Sequence, residues 1–406
     1  MGRRAITFLL LLTAGLCCST ICAGSCRGNV GKTCCDAEAV GAEVLVGAAD
    51  TASYMPLLRG RRVAVLANHT AMFSPEEHLV DMLCREGIDL VGIFSPEHGF
   101  RGSVEAGASV GNSVDERTGV PILSLYDGRT QRPSDAVMRS FDVLVVDMQD
   151  VGLRFYTYYI SMIRMMDACA DFGRSVVVLD RPNPNGSYVD GPILDMRYRS
   201  GVGWLPIPIV HGMTMGELAR MAVGEGWSKR VDLSVVPCRN YTRSTRYVLP
   251  LAPSPNLPTQ HSIYLYPSMC LFEGTVVSLG RGTDAPFEIY GHPEMKGRDF
   301  SFTPQPNAGS SAPPHKGRLC YGVDLREVPD EEILSEGLTL RYVIDAYRDL
   351  DMGERFFTPM FEKLVGVDWV RRMIVDGASA DEIEARWRSD AERFERQRAP
   401  YLLYED

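Results

Sequence analysis

The chain has 406 residues, more than one hydrophobic core ordinarily holds, so two domains or subdomains are expected. Its make-up is that of a globular protein, 45% hydrophobic and 23% charged. A formal net charge of −10 argues against a nucleic-acid binder and gives no reason for attraction to anionic membranes.

Arg3 and Arg4 precede the apolar run ITFLLLLTAGL (6–16), and small residues and cysteines follow. This is the pattern of a secretory signal over residues 1–23, too short for an ordinary transmembrane helix. The alternative to cleavage after Ala23 is lipidation of Cys26, which follows Ala23-Gly24-Ser25; two lipid chains would then hold the protein to a membrane. Residues 24–45 are Gly/Cys/Ala-rich and read as a tether. The expected location is across the inner membrane, periplasmic or at the cell envelope, with membrane contact only through such an anchor. Six of the 11 cysteines precede the folded region. The others, Cys84, Cys169, Cys238, Cys270 and Cys320, are scattered, mostly in apolar runs, which predicts buried free thiols and no disulfide framework. Without a CxxC pair, no structural zinc is expected.

From residue 46 strands and helices alternate. RRVAVLAN (61–68) is followed by a helix near 76–87, with Ser74 as its cap, Pro75 in the first turn and Glu77 closing a capping box. Next come the strands IDLVGIF (88–94) and PILSLY (121–126), a helix near 133–140, and FDVLVVD (141–147). A helix over 157–172 carries Ile160, Ile163, Met166 and Ala170 on one stripe. SVVVLD (175–180), PIPIV (206–210), a helix near 215–223 boxed by Thr214 and Glu217, and VDLSVV (231–236) complete the series. Strands this continuously apolar are buried on both faces, so residues 46–250 are expected as a doubly wound α/β domain with a mostly parallel sheet. Pro-rich residues 237–270 read as a crossover. The second part, 251–406, is expected as a smaller α+β unit: strands TVVSLG (275–280), FEIYG (287–291) and LCYGVDL (319–325), then helices near 338–350, 367–376 and 380–397.

The strand ends of the first part are polar: Asn68-His69-Thr70, Pro96-Glu97-His98-Gly99, Tyr126-Asp127-Gly128, Asp147-Met148-Gln149-Asp150, Asp180-Arg181 and His211-Gly212. In an open α/β sheet these ends share one edge, where ligands bind. Each has a plainer reading. Asp127-Gly128 suits a turn, Asp180 a turn or a buried ion pair, and His69 a helix cap or a partner for a core carbonyl; one of Asp147 and Asp150 suffices to cap their turn. Gly107-Ala108-Ser109-Val110-Gly111 matches a nucleophile elbow but lacks the strand and helix around it. Gly280-Arg281-Gly282-Thr283-Asp284-Ala285 matches a dinucleotide fingerprint, but Pro286 and a strand-like run follow in place of a helix.

Carboxylates, histidines, tyrosines and arginines on one edge suit acid–base hydrolysis. Glycoside cleavage needs one carboxylic acid for the leaving oxygen and a second group for water or the sugar. Glu97 fits the first role if burial raises its pKa; Asp147, Asp150, Asp180 or Glu273 fits the second. Metal-assisted hydrolysis by His69, His98, His211 and carboxylates is a rival from the same residues.

The segments ANHTA, FSPEHGFRG, VVDMQDVGLRFYTY, LDRPNPNG, HGMTMGELA, GEGW and FEGTVVSLGRGTDAPFE resemble the bacterial exo-acting β-N-acetylmuramidases, in that family's order and from about residue 50 to the C-terminus. The resemblance implies a Rossmann-like domain, a smaller second subdomain and an active site in the cleft between them. It implies release of N-acetylmuramic acid from the non-reducing ends of peptidoglycan fragments, with peptidoglycan-derived disaccharides or glycan ends as the partner and no cofactor. Glu97 matches the family's candidate acid; His98 and Asp150 are the orienting or second-role groups. Such a substrate carries a lactyl carboxylate, which calls for an arginine, Arg154 or Arg281. Tyr156, Tyr158 and Trp204 are candidates for stacking on sugar faces, and Asn68, His69, Asp180, Arg181, His211 and Glu273 complete the expected binding set. Two rivals stay open: a metal-dependent esterase or amidase in the same cleft, and a non-catalytic cell-wall-binding lipoprotein.

Overall fold

The structure is a computed structural model that describes residues 43–96, 100, 113–125 and 132–406. The signal segment, most of the tether, Glu97, His98, Asp127 and the Gly-rich stretch 101–112 lie outside the described residues. In chain order the elements are α1 (Thr51–Leu58), β1 (Val63–Ala67), β2 (Met72–Ser74), β3 (Glu77–His78), α2 (Leu79–Arg85), β4 (Leu90–Phe94), β5 (Ser113–Val114) and β6 (Pro121–Leu123). Then come α3 (Asp135–Ser140), β7 (Val143–Asp147), α4 (Tyr158–Phe172), β8 (Ser175–Leu179), α5 (Met215–Gly224), β9 (Leu233–Val236) and α6 (Gln260–Met269). The C-terminal part adds β10 (Ile289–His292), β11 (Phe300–Phe302), β12 (Cys320–Asp324), α7 (Asp330–Glu336), α8 (Arg341–Leu350), α9 (Met360–Val365), α10 (Trp369–Val375) and α11 (Ala380–Arg398).

Among the described residues the largest sheet has the order β5-β6-β4-β1-β7-β8-β9, parallel throughout except for β5 against β6. In its middle Val65 of β1 faces Ile93 of β4 on one side and Val145 of β7 on the other. Side chains alternate between the two faces of a strand. Val63, Val65 and Ala67 share a core with Tyr54 and Leu58 of α1 and with Leu79 and Leu83 of α2. Ala64 and Leu66 belong to the opposite core with Ile163 and Met166 of α4 and Leu218 of α5. Two dry faces explain why β1 is apolar at every position. The fold is therefore the expected α/β arrangement. A second, antiparallel sheet of order β10-β12-β11 and α7–α11 follow it. The α4/α5-side core continues into Phe356, Phe361, Trp387 and Phe394 of this C-terminal part, and residues 42–406 form one compact unit.

Local departures have physical reasons. Ser74-Pro75-Glu76-Glu77 does not cap a helix; it turns the chain between β2 and β3, a position proline suits equally well. The helix starts at Leu79, where His78 Nδ1 accepts the Val80 N–H at 3.2 Å. PIPIV is not a sheet strand. Pro206 and Pro208 supply no N–H, and Val210 alone makes isolated bridges, to Leu153 and Asp190. TVVSLG likewise makes only the bridges Thr275–Phe357 and Ser278–Gly291. The Pro-rich crossover ends in α6, started by a reciprocal Thr259/Ser262 box. The Thr214/Glu217 box on α5 forms as expected. The described cysteines are free, and all but Cys84 are buried. No helix among the described residues is long and apolar enough to cross a membrane.

Candidate active site

The ends of β1 and β7 are tied by short polar links. Asn68 Oδ1 accepts the Thr70 N–H at 3.0 Å and its hydroxyl at 2.6 Å, and Thr70 Oγ1 accepts the Gln149 N–H at 2.9 Å. Asn68 Nδ2 is buried without a partner among the described residues. His69 places Nε2 2.8 Å from the Ala252 carbonyl, so that nitrogen carries the proton, and Nδ1 is buried without a partner among the described residues. β4 ends at Phe94; Glu97 and His98, which follow Ser95 and Pro96 in the chain, lie outside the described residues.

Of the two aspartates after β7, each has a distinct task. Asp147 pairs with Arg181 through both oxygens, at 2.5 and 3.0 Å, and Arg181 Nη2 also donates to the Met72 carbonyl at 2.8 Å. That pair is buried and structural. Asp150 Oδ1 accepts the Gly152 N–H at 2.7 Å, while Oδ2 is buried with no partner among the described residues. Gly152 has φ +77°, and a Cβ there would sit 2.2 Å from Asn183 Nδ2, so only glycine completes this turn. Gln149 Nε2 holds the turn from behind, donating to the carbonyls of Asp150 and Pro182 at 2.8 and 2.7 Å. Burial pushes the Asp150 carboxyl up to about 7, against the opposing pull of the Gly152 and Val151 N–H groups.

Besides Arg181, three further residues expected in the binding set are committed to the scaffold. Asp180 accepts from the Thr214 hydroxyl at 2.6 Å, the Gly216 N–H at 2.8 Å and the Tyr404 hydroxyl at 2.6 Å, anchoring α5 and the C-terminus to β8. Burial raises it to about 6 despite these donors. Arg154 is fully buried, and its Nη1 and Nη2 donate to the carbonyls of Pro192, Ile207, Leu364 and Val365 at 2.7–2.9 Å. It has no free fork for a substrate carboxylate. His211 Nδ1 accepts the Met213 N–H at 3.2 Å, and Nε2 is buried without a partner among the described residues. Burial and the nearby Arg398 and Arg154 depress it to about 3, so it is a neutral imidazole. Trp204 is not open for sugar stacking, because the guanidinium groups of Arg199 and Arg164 lie over its ring at 3.6 and 4.4 Å. Among the described residues no three His, Cys, Asp or Glu side chains converge as a metal site would require.

Tyr156, Glu273 and Arg281, expected from three separate stretches, meet in one cavity of about 160 Å³ with Tyr158, Tyr266 and Phe287. The Tyr156 and Tyr158 hydroxyls donate to the Pro253 carbonyl at 2.9 and 3.3 Å. The neighbouring Ala252 carbonyl is the one His69 binds, and Ser254 and Asn256 line the cavity. Residues 252–256 therefore run from the end of β1 to the cavity wall, at most ~14 Å. Sequence reading passed over Ser254, Asn256 and Tyr266, which all lie within the stretch 237–270 read as a crossover. It passed over Phe287 as a strand residue, yet this side chain has φ +65°, strained for a residue with a Cβ.

Profiles of a known family match nearly all of the folded chain: the N-terminal part of the exo-β-N-acetylmuramidase NamZ over residues 63–261 and its C-terminal part over residues 264–404. The chain is 39% identical over 370 residues to the peptidoglycan β-N-acetylmuramidase NamZ of Bacillus subtilis (strain 168), covering 86% of this chain and 89% of the relative. Two crystal structures of DUF1343 family proteins from Bacteroides fragilis NCTC 9343 are similar to it. One has a TM-score of 0.84 at 58% identity and covers 90% of this chain and 99% of its own. The other has a TM-score of 0.76 at 26% identity and covers 89% and 99%.

Proposed function

The chain belongs to the exo-β-N-acetylmuramidase NamZ family, and from that premise we propose how its residues carry the reaction. It is an exo-acting glycoside hydrolase that releases N-acetylmuramic acid from the non-reducing ends of peptidoglycan fragments. Glu97 protonates the leaving oxygen, with His98 orienting it. Asp150 is the second catalytic carboxyl.

The observation that carries this assignment is the setting of Asp150: it is buried, one of its oxygens has no partner among the described residues, and burial pushes its carboxyl up to about 7. A covalent nucleophile must be ionised before attack. A carboxyl poised near 7 suits proton transfer instead, here removal of a proton from attacking water. Asn68 and His69 line the end of the neighbouring strand, with donor and acceptor atoms left over for sugar hydroxyls or the acetamido group. The work is done outside the inner membrane, as the N-terminal signal suggests; fractionation of cells carrying the full chain tests that.

The catalytic test uses protein from residue 36 onward, aryl β-N-acetylmuraminide and aryl β-N-acetylglucosaminide, with and without EDTA. Wild type turns over the muraminide regardless of chelator. Glu97→Gln and Asp150→Asn each lose 10²-fold or more in kcat, the range typical of removing an acid–base group. Full activity of Asp150→Asn would remove Asp150 from the mechanism. Loss of the muraminide activity with EDTA would favour metal-assisted hydrolysis over the carboxylate pair.

A further inference from the structure

We propose that Arg281 is the residue that distinguishes N-acetylmuramic acid from N-acetylglucosamine, by taking the lactyl carboxylate in the cavity it shares with Glu273. The inference rests on the muramidase reading and names that site's specificity determinant. The two sugars differ by one lactyl ether, so the discriminating group must recognise a carboxylate, and a guanidinium with a free fork does so bidentately. Arg154 and Arg181 cannot serve, since four carbonyls hold the first, and Asp147 and the Met72 carbonyl hold the second.

Arg281 differs in how it is bound. Its Nε and Nη2 both donate to a single Glu273 oxygen, Oε1, at 3.1 and 2.5 Å. Only one edge of the guanidinium is used. Nη1 has no hydrogen-bond partner among the described residues, so the Nη1/Nη2 edge remains available to a second carboxylate. The side chain is about one-quarter exposed and lines the cavity.

The mount is rigid. Arg281 lies between Gly280 and Gly282, at φ +82° and +80°. A Cβ on either would meet a carbonyl oxygen, of Ala285 or Gln305, at 2.5 Å. Thr283 closes the turn, its N–H and hydroxyl donating to the Gly280 carbonyl at 3.0 and 2.6 Å. The Phe287 ring lies 5.1 Å from the guanidinium carbon, held edge-on by Tyr266 at 4.8 Å. The strained backbone of Phe287 is thus accounted for by the ring it places beside Arg281. An arginine ordered before the substrate arrives loses little entropy on binding it.

The test compares wild type, Arg281→Gln, Arg281→Lys and Glu273→Gln, all from residue 36 onward, by two readouts. The first is kcat/KM on the two aryl substrates. In Arg281→Gln the muraminide-to-glucosaminide ratio falls at least 100-fold, mainly through the muraminide KM; Arg281→Lys recovers part of it, and Glu273→Gln falls between. The second is calorimetric binding of free N-acetylmuramic acid against N-acetylglucosamine, with circular dichroism confirming the fold of each variant. Preference for the first sugar in wild type, abolished in Arg281→Gln, supports the inference even if wild type turns over neither aryl substrate; the catalytic reading alone then falls. Selectivity unchanged in a folded, active Arg281→Gln protein, or a wild type that binds both sugars equally, overturns it.

Discussion

The Asp150→Asn substitution separates the acid–base reading from a purely structural turn, because its effect on stability has a defined pH dependence. In the native protein the carboxyl titrates at about 7, against an ordinary value of 3.8. Between those values the native state holds a proton that the unfolded state has released. Stability therefore falls as pH rises through this window, and the full cost is present above 7. A displacement of this size corresponds to about 4 kcal/mol at pH 8 and about 0.5 kcal/mol at pH 4. Asparagine keeps a carbonyl oxygen for the Gly152 N–H and has no charge to bury. The variant is thus expected to be nearly as stable as wild type at pH 4 and several kcal/mol more stable at pH 8. Urea unfolding of both proteins at pH 4, 6 and 8, read by circular dichroism, measures the difference directly and cancels the titration of every other group. A gain independent of pH, or a loss at pH 8, would refute the argument that Asp150 holds a buried, titratable proton. A protein that becomes more stable while losing activity is the signature of a group kept for catalysis at a cost in folding.

The remaining predictions concern the scaffold around it. Arg154→Met strands four buried carbonyls and is expected to cost about 3–5 kcal/mol in urea unfolding; a cost below about 1 kcal/mol would mean the guanidinium is not the tie between these segments. His211, depressed to about 3, stays neutral while an unfolded histidine takes up a proton below 6.5, so it destabilises progressively as pH falls from 6.5 towards 3. His211→Gln should accordingly gain about 2–3 kcal/mol on wild type between pH 7.5 and 4.5. Tyr404→Phe removes a donor to Asp180 and the acceptor of the Cys238 N–H, and should lower stability by about 1–2 kcal/mol without changing the substrate selectivity of the active protein.

Much of the scaffold was legible because its physical causes are local or periodic. Val63–Ala67, Val143–Asp147 and Ser175–Leu179 are apolar at successive positions, as strands with two covered faces must be. The box at Thr214 needs only two residues three positions apart, Thr214 and Glu217. Where reading failed, two structures compete for the same local sequence. Ser74-Pro75-Glu76-Glu77 suits a helix start and a hairpin turn alike, and the pairing of Met72 with His78 decides between them. Pro-rich residues before Thr259 hid α6, because a helix can begin immediately after such a run if the cap is supplied.

The site was legible as a set of residue types but not as a set of roles. Arg154 and Arg281 look alike in sequence: each follows a glycine by one or two positions and lies close to aromatic residues. Nothing local says that one enters the core and the other reaches a cavity. That difference comes from residues far away in the chain, since the carbonyls of Leu364 and Val365 close over Arg154 while Glu273 takes only one edge of Arg281. The same holds for the aspartates. Asp147 is neutralised by Arg181, 34 residues on, whereas Asp150, three positions later, receives only main-chain donors among the described residues and keeps an oxygen in reserve there. A charged group that the fold satisfies completely is part of the frame, and one it satisfies halfway has capacity left for a ligand or a proton. Among the sequence candidates described in the structure that criterion selects Asp150, Arg281 and its partner Glu273; the proposals above give the first to the chemistry and the second to the choice of sugar.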